Sequence, residues 1–380
     1  MKRFVTFALL AFASADLLAV RHVVFETDVY NRAFPAGRKG DFAFSPLSAE
    51  IDCALAAEAL ETIPRANVAE SMGILVEFAG VYRPILDRLS VPTNGFRFVS
   101  ARGFCLPDTA RPQTAFCRQI QRDYDAEVMP FLPVKGVEAW FHAAMDGEME
   151  DFEIDSRKVQ ADRHSFYDLI AVRAEWSEAF PTSNVRTLTF TTAGNERRRM
   201  PFMTDVRIAD TWQEREYMIL KLPLRGGFSF YALLPNPGVG LSPVREVFSS
   251  EGIESLLVKT GATPVGNFNR GPTVLIIPRF DIDCRTDMLP ALQAFRLPVA
   301  ALARLCPDVP AKEYVQRIRF ILAEHGPDET PLAERPPEQQ IGIAADTKRA
   351  ILNRPFLYFI YDETAKTIPV AGQFTGQSDG

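Results

Sequence analysis

The chain has 380 residues, 47% of them hydrophobic and 24% charged, and its 42 basic and 48 acidic residues leave a formal charge of -6. That balance describes a well-packed globular protein of one large domain or two ordinary ones. Charges spread along the chain exclude an extended nucleic-acid surface, which needs clustered Lys and Arg to displace counterions.

Met1-Lys2-Arg3, the apolar run Phe4 to Phe12 and then Ala13-Ser14-Ala15 have the charged, apolar and small-residue parts of a secretory signal. Residues 1–15 therefore read as a leader and 16–380 as the secreted, extracellular protein. The same run continues through Leu17, Leu18 and Val20 and also fits the start of the first helix, in a chain that would then be soluble and intracellular. No other segment approaches the roughly 18 apolar residues of a membrane span.

Phe25, Val29, Ala33 and Phe34 recur at helical spacing up to the turn at Pro35-Ala-Gly-Arg-Lys-Gly40. Ser45-Pro-Leu-Ser48 then places a capping residue before a second helical run through Ile51, Ala54, Leu55 and Ala59. Phe96 to Leu106 alternates as a strand does, and Ala115 to Tyr124 returns to helical spacing. From residue 185 the character is mostly strand, at Thr187–Phe190, Met218–Leu222, Phe228–Leu234, Val274–Ile277, Phe356–Ile360 and Ile368–Phe374. The last pair flanks a hairpin turn at Asp362–Thr367. Helices first and antiparallel strands later predict an α+β domain rather than regular βαβ units. The stretch from about Gly326 to Arg354 has many prolines and little secondary-structure signal, and so long a loop in a compact domain is usually functional or disordered.

Patterns for chemistry are sparse. His22, His142, His164 and His325 lie far apart with no metal-ligand spacing, so neither a metal nor a cofactor is expected. Cys53, Cys105, Cys117, Cys284 and Cys306 are too few and scattered for a disulfide framework and read as ordinary buried thiols. Neither a nucleophile elbow nor a phosphate-binding loop occurs. Glu148-Met-Glu150-Asp151 reads as a solvated helix face and Arg197-Arg-Arg199 as a solvated turn. An enzyme is unsupported.

Dispersed segments, in order and over most of the chain, resemble the serpin family. They include Phe42-Ala-Phe-Ser45-Pro46-Leu47-Ser48, Ser100-Ala-Arg-Gly-Phe-Cys-Leu, Tyr124-Asp-Ala-Glu-Val128 and Trp140 with Gly147. The most specific is Ala171-Val-Arg-Ala-Glu-Trp176-Ser-Glu-Ala-Phe180 with Thr189-Phe190 and Met200 to Met203. Leu220 to Pro235, Ile277-Pro278-Arg279-Phe280 and Arg354-Pro355-Phe356 through Gly372-Gln-Phe374 complete the set. The resemblance implies a single domain with a large mixed or antiparallel central sheet, further sheets and about eight or nine helices. It also implies a monomer that inhibits a serine-type endopeptidase by presenting a reactive-centre loop; the alternative is a non-inhibitory member that binds another protein or a small ligand.

In that family a cluster under the main sheet is bonded across the strands that open, and the matching positions here are Ser45, Ser48, Asp168 and Gln316, with Trp176 near the top of the sheet. The family's Asn and His are replaced by Asp168 and Gln316, which could bond each other. Glu324 and Gly326 match the start of the loop hinge, which places the loop at about 326–354. Where inhibitors carry Thr and alanines, this chain has Pro327, Glu329 and Pro331, followed by Pro336 and Pro337. Counting forward from the hinge puts the scissile region at Gln340 and Ile341, and counting back from Pro355 puts it at Ala344 and Ala345. Lys348 and Arg349 would suit a trypsin-like protease later in the loop.

Overall fold

The computed structural model describes residues 22, 25–34, 38–72, 78–91, 95–130, 133–156, 162–245, 256–257, 269–294, 297–298, 302–307, 309–324 and 347–377. The expected leader and most of the expected loop lie outside them.

Helix α1 (25–33) leads into strand β1 (Phe42–Phe44) and helix α2 (Pro46–Glu58). The Ser45 hydroxyl accepts from the Ser48 amide at 3.2 Å, and Pro46 occupies the first turn, where no N–H is needed. All thirteen residues of α2 are buried. One of its acids is bonded to two other segments: Glu50 Oε1 accepts from the Tyr82 hydroxyl at 2.7 Å and lies 2.8 Å from His22 Nδ1. These contacts tie the N-terminal region and helix α4 (Phe78–Ser90) to α2. Helices α3 (Thr62–Ser71), α5 (Thr114–Tyr124) and α6 (Val134–Ala144) complete the first half.

Two sheets flank α2. The first has five strands in the order β10-β11-β4-β2-β3, formed by Phe280–Asp287, Ala311–Leu322, His164–Ala174, Phe96–Leu106 and Ala126–Pro130. The second has nine strands. Its central path runs β1, β14 (Thr367–Phe374), β13 (Phe356–Asp362), β8 (Phe228–Pro235), β7 (Tyr217–Pro223), β6 (Arg197–Gln213), β9 (Asn269–Pro278) and β12 (Lys348–Ile351). Strand β5 (Val185–Thr191) pairs with β6. Short helices α7 (Leu241–Arg245) and α8 (Leu289–Ala294) close the set. The domain is α+β with mixed sheets, because β2/β3, β4/β11 and β9/β12 pair parallel while the other pairs are antiparallel.

The β13–β14 turn forms where expected: Asp362 Oδ1 accepts from the amides of Thr364 and Ala365, and Arg88 grips the same carboxylate with two N–H groups. Gly372 sits where a Cβ would collide with the Phe42 carbonyl and the Tyr358 ring, so β1, β14 and β13 can close only around a glycine.

The opposite face of the five-stranded sheet is covered by α6 and the turns after it. Phe141, Met145, Met149, Phe152 and Ile154 pack there on Tyr167, Leu169 and Val315. Glu148, expected on a solvated face, is buried and paired with Arg173 at 2.8 Å, because the turns fold back over β4. Arg197 to Arg199 begin β6 rather than a turn, and remain exposed.

His164, at the start of β4, is fully buried, with Nδ1 3.0 Å from the Val309 carbonyl and Nε2 3.3 Å from the Tyr314 hydroxyl. Nδ1–H donates to the carbonyl and Nε2 accepts from the phenol, so the ring is neutral, and burial lowers its pKa to about 4 from an ordinary 6.5. Between pH 6.5 and 4 the unfolded chain binds this proton and the folded one does not, so stability falls as pH drops through that window, by up to about 3 kcal/mol. In denaturant titrations at pH 7 and pH 4, His164→Asn should lose less stability on acidification than the parent; equal losses would refute this assignment.

Candidate functional site: a closed seam with a buried ionic cluster

The five-stranded sheet has one seam that joins its two halves. Strands β4 and β11 run parallel and stay in register from His164 opposite Ala311 to Ala174 opposite Leu322, with one irregularity near the start. The pairing is continuous from bottom to top.

Beneath the seam, where β1 passes into α2, Gln316 from β11 reaches under the sheet. Its Oε1 accepts from the Ser45 amide at 2.7 Å, and its Nε2 donates to the Ser45 carbonyl at 3.1 Å and to Asp168 Oδ2 at 3.3 Å. One side chain therefore bonds the start of α2 and the strand across the seam. The structure brings together Ser45, Ser48, Asp168 and Gln316.

It adds two members that no sequence signal marked. Arg102, central in β2 and only 1% exposed, donates to the Ser48 hydroxyl at 3.0 Å, the Ser100 hydroxyl at 3.3 Å and the Tyr124 carbonyl at 3.2 Å. Its Nε lies 3.6 Å from Asp52 Oδ1 and 3.8 Å from Asp168 Oδ1. Burial, and then the charge of Asp168, holds the Asp52 carboxyl well above the usual carboxylate range. Burial also raises Asp168, but there the Arg102 cation opposes it. Asp52 therefore holds its proton more tightly than Asp168, and the Arg102 cation is the group that compensates carboxylate charge here. A buried charge is tolerable only with such compensation.

Trp176 is not part of this cluster. Eight residues beyond Asp168, at ~3.3 Å per residue, it lies on the order of 25 Å further along. It packs edge-on against Phe180 and Phe230, each at 5.4 Å, and bridges to Leu224. Its role in the structure is packing at the upper end of the seam.

The ends of the expected loop are anchored. Glu324, just past β11, is buried and gripped by two N–H groups of Arg279, the residue between β9 and β10, with Nε to Oε2 at 2.6 Å. At the far end, Lys348 and Arg349 lie in β12, opposite Thr273 and Val274 of β9, and Lys348 Nζ donates to the Asn269 carbonyl at 2.7 Å. Both were expected in the loop; their place in a paired strand moves its far boundary back to before residue 348. Gly326, Pro327, Glu329, Pro331, Gln340, Ile341, Ala344 and Ala345 lie outside the described residues.

Among the described residues no group of His, Cys, Asp and Glu could hold a metal ion, and the five cysteines are free.

A two-sheet domain with a closed parallel seam and a polar cluster beneath it has counterparts among known proteins. The family model for serpins, serine protease inhibitors, matches residues 22–376, and the chain belongs to that family. Among similar solved structures is Serpin48 of the insect Tenebrio molitor, at 19% identity and TM-score 0.75, covering 94% of this chain and 96% of that one. Human thyroxine-binding globulin is 14% identical with TM-score 0.79, covering 95% and 98%. Uncleaved ovalbumin is 15% identical with TM-score 0.80, covering 94% and 99%. No curated protein sequence matches.

Proposed function

We propose that the protein offers residues 325–346 to a serine-type endopeptidase as bait and then fails to complete the insertion that would trap the enzyme. It acts as a slowly released, substrate-like competitor. The observation that carries this reading is the pairing of β4 with β11, which an inserting strand would have to replace along both edges. Such a strand needs an N–H at each ladder position and no unpaired charge, whereas the entering sequence has Pro327, Glu329 and Pro331. The pairing of Lys348 and Arg349 in β12 supports a scissile bond in the Gln340 to Ala345 region. The leader-like N-terminus supports secretion, and the protein works as a monomer without nucleic acid or cofactor.

The test is incubation with trypsin-like, elastase-like and chymotrypsin-like proteases. The expected outcome is cleavage between residues 338 and 346, no SDS-stable complex, and a cleaved form that melts within a few degrees of the intact one. An SDS-stable complex with a strongly stabilised cleaved form would overturn the proposal. The hinge chemistry also supports a second reading, a non-inhibitory binding protein; that reading gains if no protease is slowed by any molar excess of the protein.

A further inference from the structure

Away from the seam, a cleft of about 590 Å³ opens between the β5–β6 turn, the segment linking β8 to α7, and the residues just before β13. Four cationic side chains line it, Arg38, Lys39, Arg245 and Arg354, and no described Asp or Glu does. In a chain of net charge -6 that is an unusual concentration. Its volume falls within the roughly 300–1,000 Å³ typical of small-molecule sites.

Two of the arginines have no counter-ion among the described residues. Arg354 spends Nε–H and one Nη2–H on the Pro235 carbonyl, at 2.9 and 2.7 Å, and Arg245 donates one Nη2–H to Gln373 Oε1 at 2.6 Å. No described carboxylate lies within ion-pair distance of either. A guanidinium has five N–H donors. Toward the described residues Arg354 therefore keeps three unused, and Arg245 keeps three besides its buried, unpartnered Nε. Both are half-buried, and burial lowers the pKa of Arg354, as it does for a cation without a partner. Arg245 is further held over the Phe34 ring at 4.8 Å. The remaining lining includes Pro235, Val239, Leu241 and Pro355, which offer apolar surface beside the charges. Paired forks of N–H donors suit a planar or tetrahedral oxyanion, and the apolar wall suits a hydrocarbon body.

We infer that this cleft binds a small amphiphilic anion, a carboxylate or sulfonate with an apolar body, whose head group is met by Arg245 and Arg354. This goes beyond the bait reading and does not depend on it, because no residue of the cleft belongs to the seam or to the segment 325–346.

The test uses the full chain and 8-anilinonaphthalene-1-sulfonate as fluorescent probe, with decanoate as a non-fluorescent competitor. One saturable site is expected, from which decanoate displaces the probe. The uncharged N-phenyl-1-naphthylamine should bind at least tenfold more weakly than the sulfonate. Arg354→Gln and Arg245→Gln should each weaken sulfonate binding tenfold or more without lowering the melting temperature, and Arg354→Lys, which keeps the charge and loses the fork, should bind more tightly than Arg354→Gln but more weakly than the unaltered protein. Equal binding of the neutral and anionic probes overturns the proposal, as does undiminished binding by both glutamine variants. Displacement by inorganic polyphosphate but not by decanoate also overturns it, since the site would then read charge alone. Should a glutamine variant fold poorly, the comparison of the two probes on the unaltered protein still decides.

Discussion

Arg102→Met is expected to cost about 3–5 kcal/mol of stability at neutral pH, the range for stripping one partner from a buried ion pair. The guanidinium is the only described cation within ion-pair distance of Asp52 and Asp168, and it also bonds Ser48, Ser100 and the Tyr124 carbonyl. Without it both carboxyls face burial uncompensated and their folded-state pKa values climb further. Between the ordinary carboxylate range and those raised values the folded chain holds protons that the unfolded chain has released. Stability then falls as pH rises through that window. The deficit of the variant should therefore be largest at neutral pH and smallest near pH 4, read from urea midpoints. Adding Asp168→Asn to Arg102→Met should recover part of it. A deficit independent of pH would mean that Arg102 acts only by filling space.

The hinge variant Pro327→Thr, Glu329→Ala, Pro331→Ala is expected to raise the melting temperature of the cleaved protein by on the order of 10 °C, with the intact protein unchanged. Each proline denies a ladder donor to the β4 or β11 edge, leaving a buried acceptor unpaired at ~1–3 kcal/mol. An inward Glu329 without a partner adds several kcal/mol. Relief of about 5 kcal/mol corresponds to roughly that shift at ~2 °C per kcal/mol, the lower end for large domains. Differential scanning calorimetry of intact and cleaved forms measures it. An unchanged cleaved form would place the barrier elsewhere, with the cluster beneath the seam as the next candidate.

The strands that pack one face against the core were legible from alternation alone: Phe96–Leu106 is β2 to the residue. Helix α2 was recognisable by its Ser45 cap and apolar run, but its depth was not, since burial on all sides erases the polar stripe that marks an amphipathic helix, and Glu50, Asp52 and Glu58 mimic a solvated face. Strand β6 was missed, because three arginines and Pro201 hide the start of a seventeen-residue strand. In the cluster, Ser45, Ser48, Asp168 and Gln316 were reached through family resemblance. Arg102 and Asp52 were missed because a lone charge in a strand or helix reads as solvent-facing, and their contact joins positions fifty residues apart. The cationic cleft has no sequence signature, since its four cations come from three separate segments.

Four of the five thiols are buried, and they sit on different parts of the framework. Cys53 lies in α2 between the sheets, and Cys105 lies under the layer formed by α6. Burial pushes both thiols up, so neither reacts until its covering moves. The chain thus carries its own clocks: the labelling rate at Cys105 times the lifting of the α6 layer, and the rate at Cys53 times the separation of the two sheets.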